Sequence, residues 1–269
     1  RTYLLVNPLQ GKHMPVAPHA ALAMMAALGR RVAAQHPEAR LVIGFAETAT
    51  AIGGIVAEEI SPSCTYIQTT REKPADVSRW IEFMEEHSHA PEQRLALAAL
   101  EAQLSETDAV VFVDDELSTG RTLANIVEQL QRALPVLGEK KLVAASLLNR
   151  LTAEDTERLR AHGVECIALV KLAPADYETQ AAGFMTRAAA DCRVPSRRYP
   201  YRTIALGAHA TPRTGVSIRD YGILWQGAGL VLADRIAWAK HESILVLGTE
   251  ECMLPGLLVG RVLEQKGWE

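Results

Sequence analysis

Cysteine is scarce. Cys64, Cys166, Cys192 and Cys252 are the four in 269 residues, they lie far apart, and no two form a C-x-x-C pair. Such spacing excludes a zinc knuckle and a disulfide framework and points to a reducing, cytosolic compartment. Excess positive charge is also missing: 28 Lys and Arg face 32 Asp and Glu, a net charge of −4 with a pI of 6.1. That balance argues against nucleic acid as the main partner. A small phosphorylated ligand stays open, because a loop binds phosphate without a basic surface. Long apolar runs are absent too. The longest early one, residues 20–28, falls well short of the roughly 20 residues a bilayer span needs. It follows Pro15 and Pro18 and precedes Arg30 and Arg31, the wrong order of charge for a secretory signal. No Met stands at position 1, and a helical pattern runs to Glu269 without a stop signal, so both ends are expected to be trimmed from a longer chain.

What is present is the composition of a folded protein, 48% apolar and 22% charged. The length allows one large domain or two modest ones. Five short apolar runs read as strands: 41–46 (LVIGFA), 64–70 (CTYIQTT), 109–114 (AVVFVD), 141–148 (KLVAASLL) and 165–171 (ECIALVK). Strands apolar on both faces belong to a parallel sheet covered by helices on both sides. Helical stretches near 20–35, 50–60, 94–104, 121–134 and 152–162 alternate with them, which predicts an α/β fold of right-handed crossovers. Ligands of such sheets bind beyond the carboxyl ends of the strands, so the loops after Ala46, Thr70 and Asp114 are where chemistry is expected.

A seam follows Pro174. The stretch to Pro200 is rich in Ala, Arg and Pro and reads as a linker, 175–200, between a domain at 1–174 and a smaller α/β unit at 201–269. Residues 245–260 repeat 42–57 loosely, matching Glu47 with Glu250, Gly53 with Gly256 and Val56 with Val259, so strand, acidic loop and helix recur in the same order.

The sharpest signal is 110–122, VVFVDDELSTGRT. A buried strand ends in Asp114 and Asp115, and Ser118, Thr119, Gly120, Arg121 and Thr122 lead into a helix. The Gly lets backbone N–H groups approach an anion, the hydroxyls add donors, and the helix N-terminus adds positive potential. That is a phosphate cradle. The acidic pair would repel phosphate and suits ribose hydroxyls or Mg²⁺ instead. One ligand needing both is a sugar phosphate. Asp115 and Arg121 occupy the positions where a Walker A loop needs Gly and Lys, and one glycine is too few for a dinucleotide fingerprint.

At these residues the chain resembles the type I phosphoribosyltransferases, whose 5-phosphoribosyl-1-diphosphate (PRPP) motif 110–122 is similar to. With 11–15 (GKHMP), 45–50 (FAETAT), 66–71 (YIQTTR) and the second unit, it resembles more narrowly the phosphoribosyltransferase-like proteins encoded with bacterial tellurite-resistance and stress genes, in which a TRSP domain follows the transferase domain. The Thr-Arg-Ser-Pro tetrapeptide itself is absent.

The resemblance implies a Mg²⁺-dependent enzyme in which Asp114 and Asp115 hold the ribose hydroxyls and the metal, and 118–122 hold the 5′-phosphate. Ala46, Glu47, Thr48 and Ala49 would form the diphosphate loop, with Arg71 neutralising the leaving group. Glu47 is unusual there, since a carboxylate repels diphosphate unless a cation or water intervenes. Residues 72–93, with Lys73, His87 and His89, match the loop that closes over the substrates. Lys12 and His13 are candidates for a hood over the acceptor, and His209, Arg213 and Arg219 for a second anion site. The acceptor is a small molecule, nucleobase-like in such enzymes, and similar enzymes are commonly homodimers. A non-catalytic PRPP or nucleotide sensor on the same fold stays open, as does a diphosphokinase, for which no adenine-site signature is found.

Overall fold

The computed structural model describes residues 5–12, 14–75, 77–83, 93–184, 201, 203–205, 209–235 and 243–268. In chain order the strands are β1 (Leu41–Gly44), β2 (Thr65–Gln68), β3 (Trp80–Phe83), β4 (Gln93–Ala96), β5 (Ala109–Leu117), β6 (Lys141–Asn149), β7 (Val164–Lys171) and β8 (Val216–Ser217). Six of them form one sheet in the order β7-β6-β5-β1-β2-β8, parallel except for β8, which runs antiparallel to β2. A separate antiparallel hairpin joins β3 to β4.

The helices are α1 (Pro18–Gln35), α2 (Ala49–Ile60), α3 (Leu97–Leu104), α4 (Arg121–Ala133), α5 (Ala153–Ala161), α6 (Tyr177–Ala182), α7 (Ile218–Arg235) and α8 (Met253–Gln265). None among the described residues is long and apolar enough to cross a membrane. Proline at the start of α1 fits a position whose N–H has no partner in the helix, and Leu22, Met25, Leu28 and Val32 then recur at helical spacing on its buried face. In α4 the apolar set is Leu123, Ile126, Val127 and Leu130, a narrower stripe on an otherwise polar helix. Helix α2 is buried from Ala49 to Ala57 on every side, because the sheet, α1 and α8 all pack against it. The core strands Val110–Val113 and Leu41–Ile43 are almost wholly buried, and each large side chain there stabilises the fold by about 1.5–3 kcal/mol.

Strand order fixes where a ligand can sit. The chain lays β2 on one side of β1 and then crosses to place β5 on the other, so the sheet changes winding direction between β1 and β5. Helices on either side of such a switch diverge and leave a crevice at the carboxyl ends. The register also sets the carboxyl ends of β1 and β2 level and aligns them with the middle of β5: Gly44 lies opposite Gln68 on one side and Val113 on the other. The residues that follow, 45–48, 69–71 and 114–115, therefore emerge along one edge.

Three expectations change in the structure. The stretch read as helix from 94 begins as β4, and the helix starts at Leu97. Arg94 exchanges both backbone hydrogen bonds with Thr70, at 2.9 and 2.8 Å, and this tertiary pairing overrides a run of good helix formers. Strand β5 continues through the acidic residues to Leu117, since β6 pairs with it that far, so Asp114 and Asp115 stand on a strand and not after one. The strand expected near 245–248 has no ladder partner among the described residues; 243–249 is extended chain leading into α8. The elements after 211 pack on the sheet itself. β8 covers the edge of β2, and Ile218, Leu254 and Leu258 belong to the same apolar core as β1 and β5. The sequence from 185 to 200, most of the expected linker, lies outside the described residues.

Candidate active site

The acidic pair is placed by β5. Five buried apolar residues anchor the strand, and its last turn of pleat carries Asp114, Asp115 and Glu116 half out of the core. They take different partners. Glu116 forms an ion pair with Arg150 at the end of β6 and is tied into the scaffold. Asp115 accepts a 2.9 Å hydrogen bond from the Gln10 side-chain amide, and its own N–H donates to Asp114 Oδ1 at 2.9 Å. Burial, and then the Asp115 charge, push the Asp114 carboxyl well above the usual range.

The loop after β1 turns sharply into α2. Gly44 makes this possible: a side chain there would meet the Tyr66 hydroxyl at 2.8 Å and the Ala49 carbonyl at 2.9 Å. Tyr66 in turn donates to the Thr50 carbonyl at 2.6 Å, and its buried hydroxyl is held well above its usual pKa by desolvation. Phe45 stacks on Phe112 beneath the loop, with ring centroids 6.2 Å apart. The Ala46–Glu47 bond is cis. Thr69 fixes the loop from β2, accepting from the Ala46 N–H at 2.7 Å while donating to Gln93 at 2.6 Å.

Two cations converge on this loop. Arg71 lies 3.3 Å and Lys12 3.5 Å from the two carboxylate oxygens of Glu47, and Lys12 also donates to Thr48 Oγ1 at 2.8 Å. The chain thus places its own carboxylate between these two cations.

The 118–122 turn lies on the far side of Asp115. Gly120 takes φ +67, a left-handed conformation that a side chain disfavours, and a Cβ there would lie 2.7 Å from Leu159. It serves as the N-cap of α4 with no side chain of its own to cap the helix, and the Arg121 N–H donates to the Thr119 hydroxyl at 3.5 Å. Arg121 and Thr119 are exposed, and Arg158 from α5 reaches the Thr119 carbonyl at 3.4 Å.

Lys12, Ala46, Glu47, Thr48, Arg71, Gln93, Asp114, Asp115 and Thr122 line one cavity of about 250 Å³ together with Phe45, Leu123 and Ile126. Ser118, Thr119, Gly120 and Arg121 stand on the adjoining turn outside that lining, and Ala49 is buried in the first turn of α2, where only its backbone is in play. A larger cavity of about 850 Å³ shares Lys12 as a wall, has Gln10 and Glu264 as its other polar side chains, is otherwise lined mainly by apolar residues from 14–18, 244–248, α8 and Trp268, and contains neither aspartate.

Other expectations fare differently. Lys73 is 2.7 Å from Glu82 on β3, so it braces the hairpin. His13, His87 and His89 lie outside the described residues. The second anion site does not form, because Arg213 is engaged by Glu251 at 2.8 Å and by Glu72 at 3.0 Å, while the His209 ring packs edge-on against Trp225. Cys64, Cys166 and Cys252 are unbridged, and burial pushes the Cys64 thiol up to about 11, which leaves it unreactive. Gln10, Gln93 and Thr69 are contributors that the sequence did not reveal.

Comparison with known proteins places this geometry in a family. A family model described as phosphoribosyl transferase matches residues 1–175. Among curated proteins there is no match. Solved structures that resemble the chain include the APRTase of Giardia lamblia complexed with 9-deazaadenine, at 20% identity and a TM-score of 0.43, covering 58% of this chain and 82% of that one. They also include the adenine phosphoribosyl transferase of Trypanosoma brucei in complex with AMP, pyrophosphate and ribose-5-phosphate, at 17% identity and a TM-score of 0.38, covering 70% and 74%. The orotate phosphoribosyltransferase of Aeropyrum pernix stands at 19% identity and a TM-score of 0.38, covering 57% and 73%. These likenesses are too remote to carry an argument about substrate. The family match covers well over half of the chain, and the protein belongs to the phosphoribosyl transferase family.

Proposed function

We propose that this chain moves the 5-phosphoribosyl group of PRPP to a nucleobase-like acceptor and releases diphosphate. The observation that carries the reading is the carboxyl side of the sheet at β1, β2 and β5, where an acidic pair, a tight loop flanked by two cations and the start of α4 meet at one crevice. On this reading Asp114 and Asp115 hold the ribose 2′ and 3′ hydroxyls. The 118–122 turn and the first amides of α4 hold the 5′-phosphate. The 46–49 loop, Lys12 and Arg71 hold the diphosphate. The same motifs support placing the chain in the tellurite-resistance and stress branch, with a TRSP-like domain from 201.

The chemistry is an exchange at one carbon. The C1–O bond breaks and its electron pair leaves with diphosphate. An acceptor nitrogen lone pair forms the new C1–N bond, and that nitrogen then loses its proton to solvent or a nearby base. Positive charge grows on the sugar and negative charge on the leaving group, so groups that neutralise diphosphate lower the barrier most. Arg71 and Lys12 must shift from Glu47 toward the leaving group to act in this way. Oxygen ligands suit Mg²⁺, and Asp114 and Asp115 fit it as adjacent carboxylates lining the crevice, where burial and then the Asp115 charge disfavour an uncompensated charge on Asp114. No three His, Cys, Asp or Glu side chains converge as a cage among the described residues, so the ion would be shared with substrate oxygens. When bound it would neutralise diphosphate charge.

Incubation with PRPP, Mg²⁺ and a panel of purine and pyrimidine bases should release diphosphate with at least one base. A second reading, a PRPP sensor, is favoured by the Glu47 contacts, which leave both loop cations neutralised in the free protein. PRPP binding with no diphosphate release from any acceptor would decide for the sensor.

A further inference from the structure

The residue that fixes Arg71 comes from the far end of the chain. Glu251 lies on the turn before α8 and is only 4% exposed. Its carboxylate accepts from the Arg71 N–H at 2.8 Å and from the Thr70 hydroxyl at 3.0 Å on one oxygen. The other oxygen accepts from Arg213 Nε at 2.8 Å and faces the Gln68 amide at 3.5 Å. Arg213 extends its second arm to Glu72 at 3.0 Å. The chain bends for this contact: Glu250, a non-glycine residue, takes φ 51, which turns Glu251 inward.

The consequence falls on the end of β2. Strand β8 pairs with Thr65 and Tyr66, and among the described residues the backbone pairing of that edge beyond them is the Thr70–Arg94 bridge. Arg71 is therefore pinned twice: Glu251 takes its N–H, and Arg94 donates to its carbonyl at 2.6 Å. Its side chain, half exposed, is left to reach the loop after β1. A carboxylate so deeply buried would be costly with any donor removed, and it has a charged one in Arg213.

We infer that Glu251 is a positioning residue for the leaving-group side of the site: with Arg213 it sets where the Arg71 guanidinium meets diphosphate. This rests on the reading of Arg71 as a diphosphate contact. It also means that residues 213 and 251, both beyond the 1–175 family match, complete a site whose other parts lie within it.

The test is titration calorimetry of the full chain with Mg²⁺ and two probes, PRPP and ribose 5-phosphate, the second lacking the diphosphate. Glu251→Ala and Arg71→Ala should each weaken PRPP about tenfold or more, the size of one lost charge-assisted contact, and leave ribose 5-phosphate within about twofold. The double variant should bind PRPP no more weakly than Arg71→Ala alone, because Glu251 acts through Arg71. Glu251→Gln keeps the shape and an acceptor for the Arg71 N–H, so it should restore part of the loss; it also stands in if the alanine variant fails to fold. Equal weakening of both probes by the Glu251 variants, or multiplicative losses in the double variant, overturns the positioning role while leaving Arg71 in place. No change in PRPP binding by Arg71→Ala overturns the diphosphate reading instead, and the inference with it.

Discussion

At the level of single residues, Asp114 pits binding against stability. Its carboxyl is pushed well up by burial and by Asp115. A carboxyl raised in the folded state favours folding below its unfolded pKa of about 3.9 and loses that contribution as pH rises through the folded value. At neutral pH the free protein therefore carries a penalty here. Asp114→Asn should raise the melting temperature at pH 7 without ligand, a gain that shrinks toward pH 4, and should weaken PRPP. Melting curves across that range check it, and a lower melting temperature at pH 7 would contradict it. Glu47 works in the other direction on the ligand. Glu47→Gln removes repulsion and frees Lys12 and Arg71, so inorganic diphosphate should bind several-fold more tightly in Mg²⁺-free buffer, since an exposed pair of this kind contributes about 0–1 kcal/mol to folding. Weaker binding in calorimetry would reverse that assignment. Asp114, Asp115, Glu47 and Arg71 could be singled out from sequence because each sits in a local motif. Gln10 and Glu251 could not, since their partners Asp115 and Arg71 are 105 and 180 positions away and nothing nearby in sequence marks them. Arg213 was expected to be a ligand cation because neither partner carboxylate, Glu251 at 38 positions or Glu72 on the other side of the chain seam, is near it in sequence.

Among the elements, α4 depends on its first residue. Gly120→Ala must force a side chain into a left-handed conformation and against Leu159, so it should cost about 1–3 kcal/mol and weaken ribose 5-phosphate as the α4 N-terminus shifts. Denaturant titration and ribose 5-phosphate calorimetry read the two effects. Helix α5 begins with a capping box, the Thr152 hydroxyl accepting from the Asp155 N–H at 3.1 Å and the Asp155 carboxylate accepting from the Thr152 N–H at 3.2 Å. These hydrogen bonds and Arg158 outweigh desolvation and lower Asp155. A lowered carboxyl stabilises above its unfolded pKa and loses that stabilisation as pH falls through the folded value. Asp155→Ala should thus cost about 1 kcal/mol at pH 7, and the difference from the parent should shrink as pH falls below the unfolded value of about 3.9. The five parallel strands and most of their intervening helices were legible because continuous apolar runs and 3.6-residue stripes are strong signals. The β3–β4 hairpin was not. Gln93–Ala96 is four residues long and runs directly into α3, so its strand character comes from Trp80–Phe83 and Thr70 and not from its own pattern.

For the molecule as a whole, the C-terminal stretch shares the core of the sheet. Leu254 and Leu258 are buried with β1 and α2, and β8 closes the β2 edge. A chain cut after residue 175 would expose these apolar contacts and the open edge, so it should melt at a lower temperature, bind a hydrophobic dye and lose PRPP affinity. A fragment with the parent's melting point and no dye binding would show that 1–175 stands alone. The composition seam after Pro174 is real in sequence, but composition says nothing about which surfaces later meet.

The shared register row of Gly44, Gln68 and Val113 has a last consequence. It makes a ledge that takes its shape from the sheet, while Lys12 and Gln93, the first residue of β4, join the cavity lining from outside that sheet. On the proposed function, exchanging those two segments should retarget the acceptor without disturbing the grip on the pentose.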